Sequence, residues 1–378
     1  MEEKKFEKSL LNKIVLIAIF VAIALAILNN FIIYEGGIKV GEAREIMKEK
    51  LKPAELQLVK ITVENCGFCF DIEKATEELK AQNVIITNEK TITSSSVEGK
   101  EFITKYGIKK LPTILVNGEL NKSEQLASYF KQKGEIKEDT FIYTSLAPPY
   151  FDIQSNRING LVSITNVVDS SCEKCLDLTA ISSSLKEQGV FVQNEKSVEY
   201  NSKEGQDLIN QFEIKQVPVV LISKEIDYYS DVKDVLIQSG AKEKNGFYAV
   251  HSTLPPYRDL SQNKIVGLVD VVYLTNNACS VCYDVSVNRN VLIRRGLTLK
   301  TENTYDINSP EGKQLIQKYN INKVPIIILS LDAKYYSSFE QIWDSVGTVE
   351  ADGWFVMRKP EVIGTYWDLE TNRVVGNE

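Results

Sequence analysis

The sequence predicts an α/β chain built as three tandem repeats, and three observations carry that prediction. A Cys-x-x-Cys pair occurs three times, as Cys66-Gly67-Phe68-Cys69, Cys172-Glu173-Lys174-Cys175 and Cys279-Ser280-Val281-Cys282. Each first cysteine stands 46 residues before a proline that enters an apolar run, at Pro112, Pro218 and Pro325. The copies follow one another at 106 and then 107 residues, the mark of an internal repeat.

Each element of the repeat has its own reason. The Val/Ile-rich runs 56–64, 161–168 and 266–274 read as buried central strands that deliver the chain to the first cysteine. Seventeen residues after that cysteine stand Asn83, Gly189 and Gly296, which tolerate the left-handed conformation that ends the helix opened by the cysteine pair. Thirty residues after it come Ser96, Ser202 and Ser309, each followed by Glu-Gly two residues on. Serine as N-cap with an acid in the first turn starts a second helix, and Pro310 at the first helical position agrees. Beyond the proline lie a strand, a helical segment (123–133, 230–239, 337–346) and a strand around Phe141, Phe247 or Phe355.

A second motif closes each copy: Tyr-x-Asp-aliphatic-x-x-Asn-basic-aliphatic-x-Gly, running from Tyr150 to Gly160, Tyr257 to Gly267 and Tyr366 to Gly376. Its asparagines, Asn156, Asn263 and Asn372, suit the left-handed place of a hairpin turn. Because the last copy lies at Gly376, the hairpin belongs to the repeat before it and is expected to brace the next.

A CxxC pair at a strand-to-helix junction, with Val-Pro or Leu-Pro-Thr entering a later strand, resembles the thioredoxin superfamily. Residues 105–116, KYGIKKLPTILV, are especially similar to that family's cis-proline segment. The tandem arrangement is similar to that of protein disulfide isomerases. The resemblance implies thioredoxin-like domains at 54–160, 161–267 and 268–378, each a central mixed sheet flanked by helices. It also implies that Cys66, Cys172 and Cys279 attack while Cys69, Cys175 and Cys282, the buried partners, resolve. Pro112, Pro218 and Pro325 would be cis, placing the preceding backbone beside the sulfurs to pair with an extended substrate segment. The closing hairpin is not a feature that carries over from thioredoxin, and two family positions depart. Where a Trp precedes the first cysteine the chain has Asn65, Ser171 and Ala278; where a buried acid lies six residues before it stand Lys60, Asn166 and Tyr273.

The chemistry of the motif is thiol–disulfide exchange. A cysteine at a helix start faces unpaired N–H groups and the positive end of the helix dipole, which favour the thiolate. Three residues on, a second cysteine can attack the mixed disulfide and release the partner. Asp71, Asp177 and Asp284, two residues after each second cysteine, read either as a candidate proton relay through a water or as a carboxylate complementing the helix dipole. The dipeptides Gly-Phe, Glu-Lys and Ser-Val differ, so the three sites are expected to differ in potential, and the charge of Glu173 should make the second trap partners least unless Lys174 offsets it.

Composition narrows the alternatives. With 43% hydrophobic and 25% charged residues the chain is globular material, and a net charge of −7 offers no basic stripe for a nucleic acid. All six cysteines are spent in the three pairs. A bond closing four residues restrains the unfolded chain by about 2 kcal/mol, against roughly 4.7 for a 100-residue loop, so stapling alone would favour longer loops. The pairs lie too far apart for a zinc ribbon. His251, the one histidine, has no repeated counterpart; it reads as a surface residue, and no metal or cofactor is expected.

Residues 14–34 form an apolar stretch, about 31 Å long as a helix, which reads as a transmembrane anchor after a tail at 1–13 and before a linker with a short helix at 35–53. No small-x-small cleavage site follows it. The short tail favours an N-inside orientation with the domains extracytoplasmic. The expected protein is a membrane-anchored thiol-disulfide oxidoreductase acting on protein thiols and disulfides. Two readings stand beside it: a non-catalytic binding or chaperone module with static disulfides, and a tethered cytosolic reductase.

Overall fold

The computed structural model describes residues 51–252 and 254–376, together with 20, 21, 24–29, 31, 44 and 47–49. The chain divides into two compact units, Met1–Ile158 and Asn159–Glu378; the first holds one five-stranded mixed sheet and the second holds two of the same topology.

In the first unit the sheet runs Val84–Thr93, Ala54–Thr62, Thr113–Gly118, Thr140–Tyr143, Gly134–Lys137. Ala54–Thr62 pairs in parallel with Val84–Thr93, a pairing that requires a crossover, and the helix Ile72–Lys80 supplies it. On its other side Ala54–Thr62 pairs antiparallel with Thr113–Gly118. The second unit repeats this order with Val162–Val168 and then Leu268–Thr275 at the centre. The strands after the prolines are buried on both faces, as their Val/Ile/Leu composition requires. In the third repeat they join one core with Leu292, Tyr319, Phe339, Trp343 and Phe355.

Helix starts follow the local chemistry. The hydroxyls of Ser96, Ser202 and Ser309 accept from the amides of Gly99, Gly205 and Gly312, the glycine of each Glu-Gly pair. Those glycines are required by close approach: an added Cβ would stand 2.2 Å from the Thr93 carbonyl, 2.1 Å from that of Glu199 and 2.1 Å from that of Asp306. Gly189 and Gly296 take the left-handed conformation expected of them, with φ of 84° and 85°. Asn83 does not. The helix before it ends on Ala81 in a right-handed conformation, and the Asn83 side chain instead donates to the Leu51 carbonyl at 3.3 Å.

The closing hairpins form with Asn156, Asn263 and Asn372 left-handed, at φ of 53°, 49° and 54°. In the second unit the hairpin of Tyr257–Asp259 and Lys264–Val266 does brace the next repeat. Asp332 accepts from the Gly267 amide at 2.8 Å, Tyr336 donates to the Gly267 carbonyl at 2.6 Å, and the rings of Tyr257 and Tyr335 meet edge to face at 6.5 Å.

Of the apolar stretch 14–34, residues 20, 21, 24–29 and 31 are described, all helical and exposed; the rest lies outside the described residues. No helix among the described residues is long and apolar enough to cross a membrane. Of the linker helix, residues 44, 47–49 and 51 are described and helical.

Gly312→Ala should lower the stability of the second unit by roughly 1–3 kcal/mol, because its methyl group meets immovable backbone. Denaturant midpoints measure this, and an unchanged midpoint would contradict the close-approach account.

Candidate functional site: three cysteine turns

The register of the sheet brings each cysteine pair to its proline. Ile61 pairs with Thr113, Val167 with Val219 and Leu274 with Ile326, in each case the residue five before the first cysteine and the residue after the proline. The ends of the two antiparallel strands therefore lie side by side. Cysteines leaving one end stand beside the proline entering the other.

All three pairs are disulfide-bonded, with Cα–Cα distances of 5.3, 5.3 and 5.4 Å. Each closes a turn of its own, in which the second cysteine's amide donates to the first cysteine's carbonyl at 3.1, 3.1 and 3.4 Å. The expectation that the pair opens the helix is corrected here: the helices begin only at Ile72, Ala180 and Ser286. The aspartates explain the delay. Asp71 caps its helix by accepting from Glu73 N at 3.1 Å, Asp177 accepts from Thr179 N at 2.8 Å, and Asp284 from Ser286 N at 2.8 Å. The Thr179 hydroxyl and amide hold Asp177 below the usual carboxylate range, and the Ser286 amide does the same for Asp284. All three are exposed carboxylates; Asp71 is the N-cap of its helix, while Asp177 and Asp284 stand just before the N-cap residues Thr179 and Val285.

The Leu111–Pro112, Val217–Pro218 and Val324–Pro325 bonds are cis. In the first repeat Cys66, Cys69, Phe70, Asp71 and Pro112 line a cleft of about 340 Å³. In the second, Asn166, Asp169, Cys172, Cys175 and Pro218 line one of about 240 Å³. Another cleft of about 310 Å³, lined in part by Lys109, Lys110, Glu135 and Lys137, includes no cysteine. The cysteine clefts are the candidate sites.

The two residues before each proline pair with the closing hairpin of the same repeat. Lys110–Leu111 pairs with Phe151 and Asp152, Gln216–Val217 with Arg258 and Asp259, and Lys323–Val324 with Trp367 and Asp368. In every repeat its own hairpin takes that edge. The hairpin's approach is also tied to the cysteine turn in two repeats: Phe70 N donates to Pro149 O at 2.7 Å, and Tyr283 N to Thr365 O at 2.8 Å.

Six residues before each first cysteine, the polar side chains find a carboxylate that sequence reasoning missed. Buried Lys60 reaches Glu73 at 2.7 Å and Glu89 at 2.6 Å, and Tyr273 donates to Glu302 at 2.8 Å. Burial alone would pull the Lys60 ammonium down, but the two carboxylates outweigh it and raise its pKa; Lys60 and Lys80 in turn lower that of Glu89. Lys186 and Ser182 lower that of Glu195, with a smaller contribution from Asn166, whose Oδ1 is buried without a partner. Glu89, Glu195 and Glu302 each stand 23 residues after a first cysteine, a constant spacing that was present in the sequence. No group of three or more Cys, His, Asp and Glu side chains among the described residues is arranged to hold a metal ion.

The sulfurs differ in access. The expectation of a buried second cysteine is not met: Cys69, Cys175 and Cys282 are half-buried, as are Cys66 and Cys279, while Cys172 is buried at 8% exposure.

Tyr283, next to Cys282, donates to the carbonyl of Pro325 at 2.9 Å, and burial pushes its pKa up to about 12. Because the folded value lies above the free value of 10, this contribution to stability is complete below pH 10 and is lost as pH rises from 10 through about 12. Across that window the native chain should lose stability faster than Tyr283→Phe in chemical denaturation. Parallel losses would contradict the assignment.

No family model matches the chain, and no curated protein matches it. Human ERp44 is 13% identical over 75% of this chain and 80% of that one, with a TM-score of 0.14. Full-length ERdj5 is 12% identical over 82% of this chain and 42% of that one, at 0.13. The alkylhydroperoxide reductase component AhpF of Enterococcus faecalis is 13% identical over 45% of this chain and 82% of that one, at 0.14. Likenesses at this level carry no argument about activity, so the functional reading rests on the sites themselves. What the chain itself presents is three disulfide-bonded CxxC turns, each with a cis-proline 46 residues after its first cysteine.

Proposed function

We propose that this chain is a thiol–disulfide oxidoreductase of three tandem thioredoxin-like domains, exchanging disulfides with protein substrates through its three cysteine pairs. The observation that carries this reading is a disulfide-bonded turn facing a proline at an unchanged spacing of 46 residues in three diverged copies. In the reducing direction the first cysteine's thiolate attacks a substrate disulfide. One substrate sulfur leaves as a thiolate and takes a proton, and a mixed disulfide remains. The second cysteine, after losing its proton, attacks the first cysteine's sulfur. The substrate departs as a dithiol, two electrons richer, and the internal disulfide forms. Reversal of the same steps oxidises a substrate. Substrate placement by Pro112, Pro218 and Pro325 belongs to this proposal, as does a static role for any single pair. The burial of Cys172 favours that static role in the second repeat.

The apolar stretch 14–34 supports a membrane anchor with the domains outside the cytoplasm. The chain should stay with the membrane fraction after a carbonate wash and be digested by protease added to intact cells. Release by the wash would remove the anchor, and protection in intact but not lysed cells would reverse the orientation.

Replacing Cys69, Cys175 or Cys282 by Ser removes the thiol that releases a bound partner. Mixed disulfides should then accumulate through Cys66 and Cys279, least through Cys172, and vanish on reduction. Loss of a four-residue bond costs only about 2 kcal/mol, so the variants should stay folded. Three folded variants without reducible adducts would replace exchange by the static binding module.

A further inference from the structure

The second repeat differs from the other two beside its cysteines. Asp169, three residues before Cys172, has its side chain only 2% exposed and forms an ion pair with Arg258 of the closing hairpin at 2.6 Å, where the arginine side chain is 12% exposed. The guanidinium also donates to Ser171 Oγ at 3.2 Å and to the Asn263 carbonyl at 3.0 Å, and lies over the Tyr200 ring at 4.8 Å. The same aspartate builds the cysteine turn. Its carboxylate accepts from Ser171 N at 3.1 Å and Ser171 Oγ at 2.6 Å, and its main-chain carbonyl accepts from Cys172 N at 3.0 Å. Hairpin and cysteine turn are thus joined by a buried charge pair, which is costly to break because the partner left behind is an uncompensated charge.

The corresponding pairs in the other repeats carry no charge: Val63 with Phe151 in the first, and Asn276 with Trp367 in the third. Asn276 nevertheless builds the same turn. Its Oδ1 accepts from Ala278 N at 3.0 Å, and its carbonyl from Cys279 N at 3.0 Å. In the second and third repeats this turn is built on a short side-chain acceptor, carboxylate or amide, while the first repeat, with Val63, closes its cysteine turn without one. What the charge of Asp169 adds is a side-chain ion pair to the hairpin strand itself, where the first and third repeats have the backbone bonds of Phe70 N to Pro149 O and Tyr283 N to Thr365 O. That difference coincides with the difference in sulfur access, since Cys172 is buried while Cys66 and Cys279 are half-buried.

We propose that Arg258 is a positioning residue for the Cys172–Cys175 pair: its ion pair with Asp169 clamps the hairpin over the cysteine turn and bars bulky partners from Cys172, making the second site the most restricted of the three. The proposal rests on the reading of the pairs as exchange sites. Phe151 and Trp367, at the same hairpin position, cannot supply this bond. A small reagent reaches the clamped sulfur through local fluctuations, whereas a large one needs the hairpin to open.

The test uses the full chain, reduced and then alkylated, with the six cysteines resolved by peptide mass spectrometry. Each cysteine is labelled in parallel with iodoacetamide and with a maleimide carried on a long polyethylene glycol; the ratio of the two rates removes any change in thiolate fraction. In the native chain the large-to-small ratio should be lowest at Cys172. Asp169→Asn combined with Arg258→Trp copies the neutral pair of the third repeat. It should raise the ratio at Cys172 by about tenfold, the change given by a shift of roughly 1.4 kcal/mol in local opening, and leave Cys66 and Cys279 unaltered. Arg258→Lys, which keeps the charge, should leave the ratio low. A ratio that stays low in the folded double variant, or rises equally in Arg258→Lys, overturns the clamp. Should the double variant not fold, the reciprocal graft decides: Asn276→Asp with Trp367→Arg should lower the ratio at Cys279, and no change there overturns the proposal. Labelling reads access to the thiol and not turnover. Absent adducts in the second-cysteine variants with a responsive Cys172 would end the exchange reading alone; an unresponsive Cys172 would end the clamp alone.

Discussion

The structure depends on one adjacency, the antiparallel pairing of the strand that leads to each cysteine pair with the strand that leaves each proline. An antiparallel pair places the end of one strand beside the beginning of the other. With Ile61 opposite Thr113, Val167 opposite Val219 and Leu274 opposite Ile326, the first cysteine, four residues past the end of one strand, and the proline just before the other are left together at one end of the sheet. A one-residue slip would turn the Val/Ile/Leu set of the central strand away from the core. The same burial that holds the sheet together therefore holds each disulfide against its proline.

The hairpin is the second constraint. A short segment before a cis-proline presents backbone donors and acceptors that require partners when covered. Here Phe151, Arg258 and Trp367 lie opposite the residue before the proline, so each repeat satisfies that edge from within itself. In the first two repeats the sulfurs remain open to clefts lined by cysteine, proline and the aspartate two residues after the second cysteine. The backbone pairing also lets one hairpin position vary in character, aromatic, cationic and aromatic, without disturbing the backbone that carries it.

Six residues before the first and third leading cysteines, two different polar side chains share one solution. Lys60 and Tyr273 point from a central strand where a lone polar group would be costly, and the neighbouring parallel strand supplies Glu89 or Glu302 to meet it; at the same place in the second repeat Glu195 is held by Lys186 and Ser182.

The sequence by itself determined the repeat, the strand–cysteine–helix–strand–helix–proline order, the serine caps and the left-handed asparagines of the hairpins. Each of these is a local matter of spacing, capping or backbone preference, settled within a few residues. Its local reading failed where two local signals competed. Asp71, Asp177 and Asp284 hold the helix-start amides and postpone the helix until after the cysteine turn. Asn83 spends its side chain on Leu51 and does not terminate a helix. Only the tertiary structure decided what lies across from what: the hairpin against the backbone before the proline, Glu89 against Lys60, and Arg258 against Asp169 at a separation of 89 residues. Such pairs form because a buried charge or amide takes whichever partner the folded sheets bring within reach, and no periodicity along the chain records that distance.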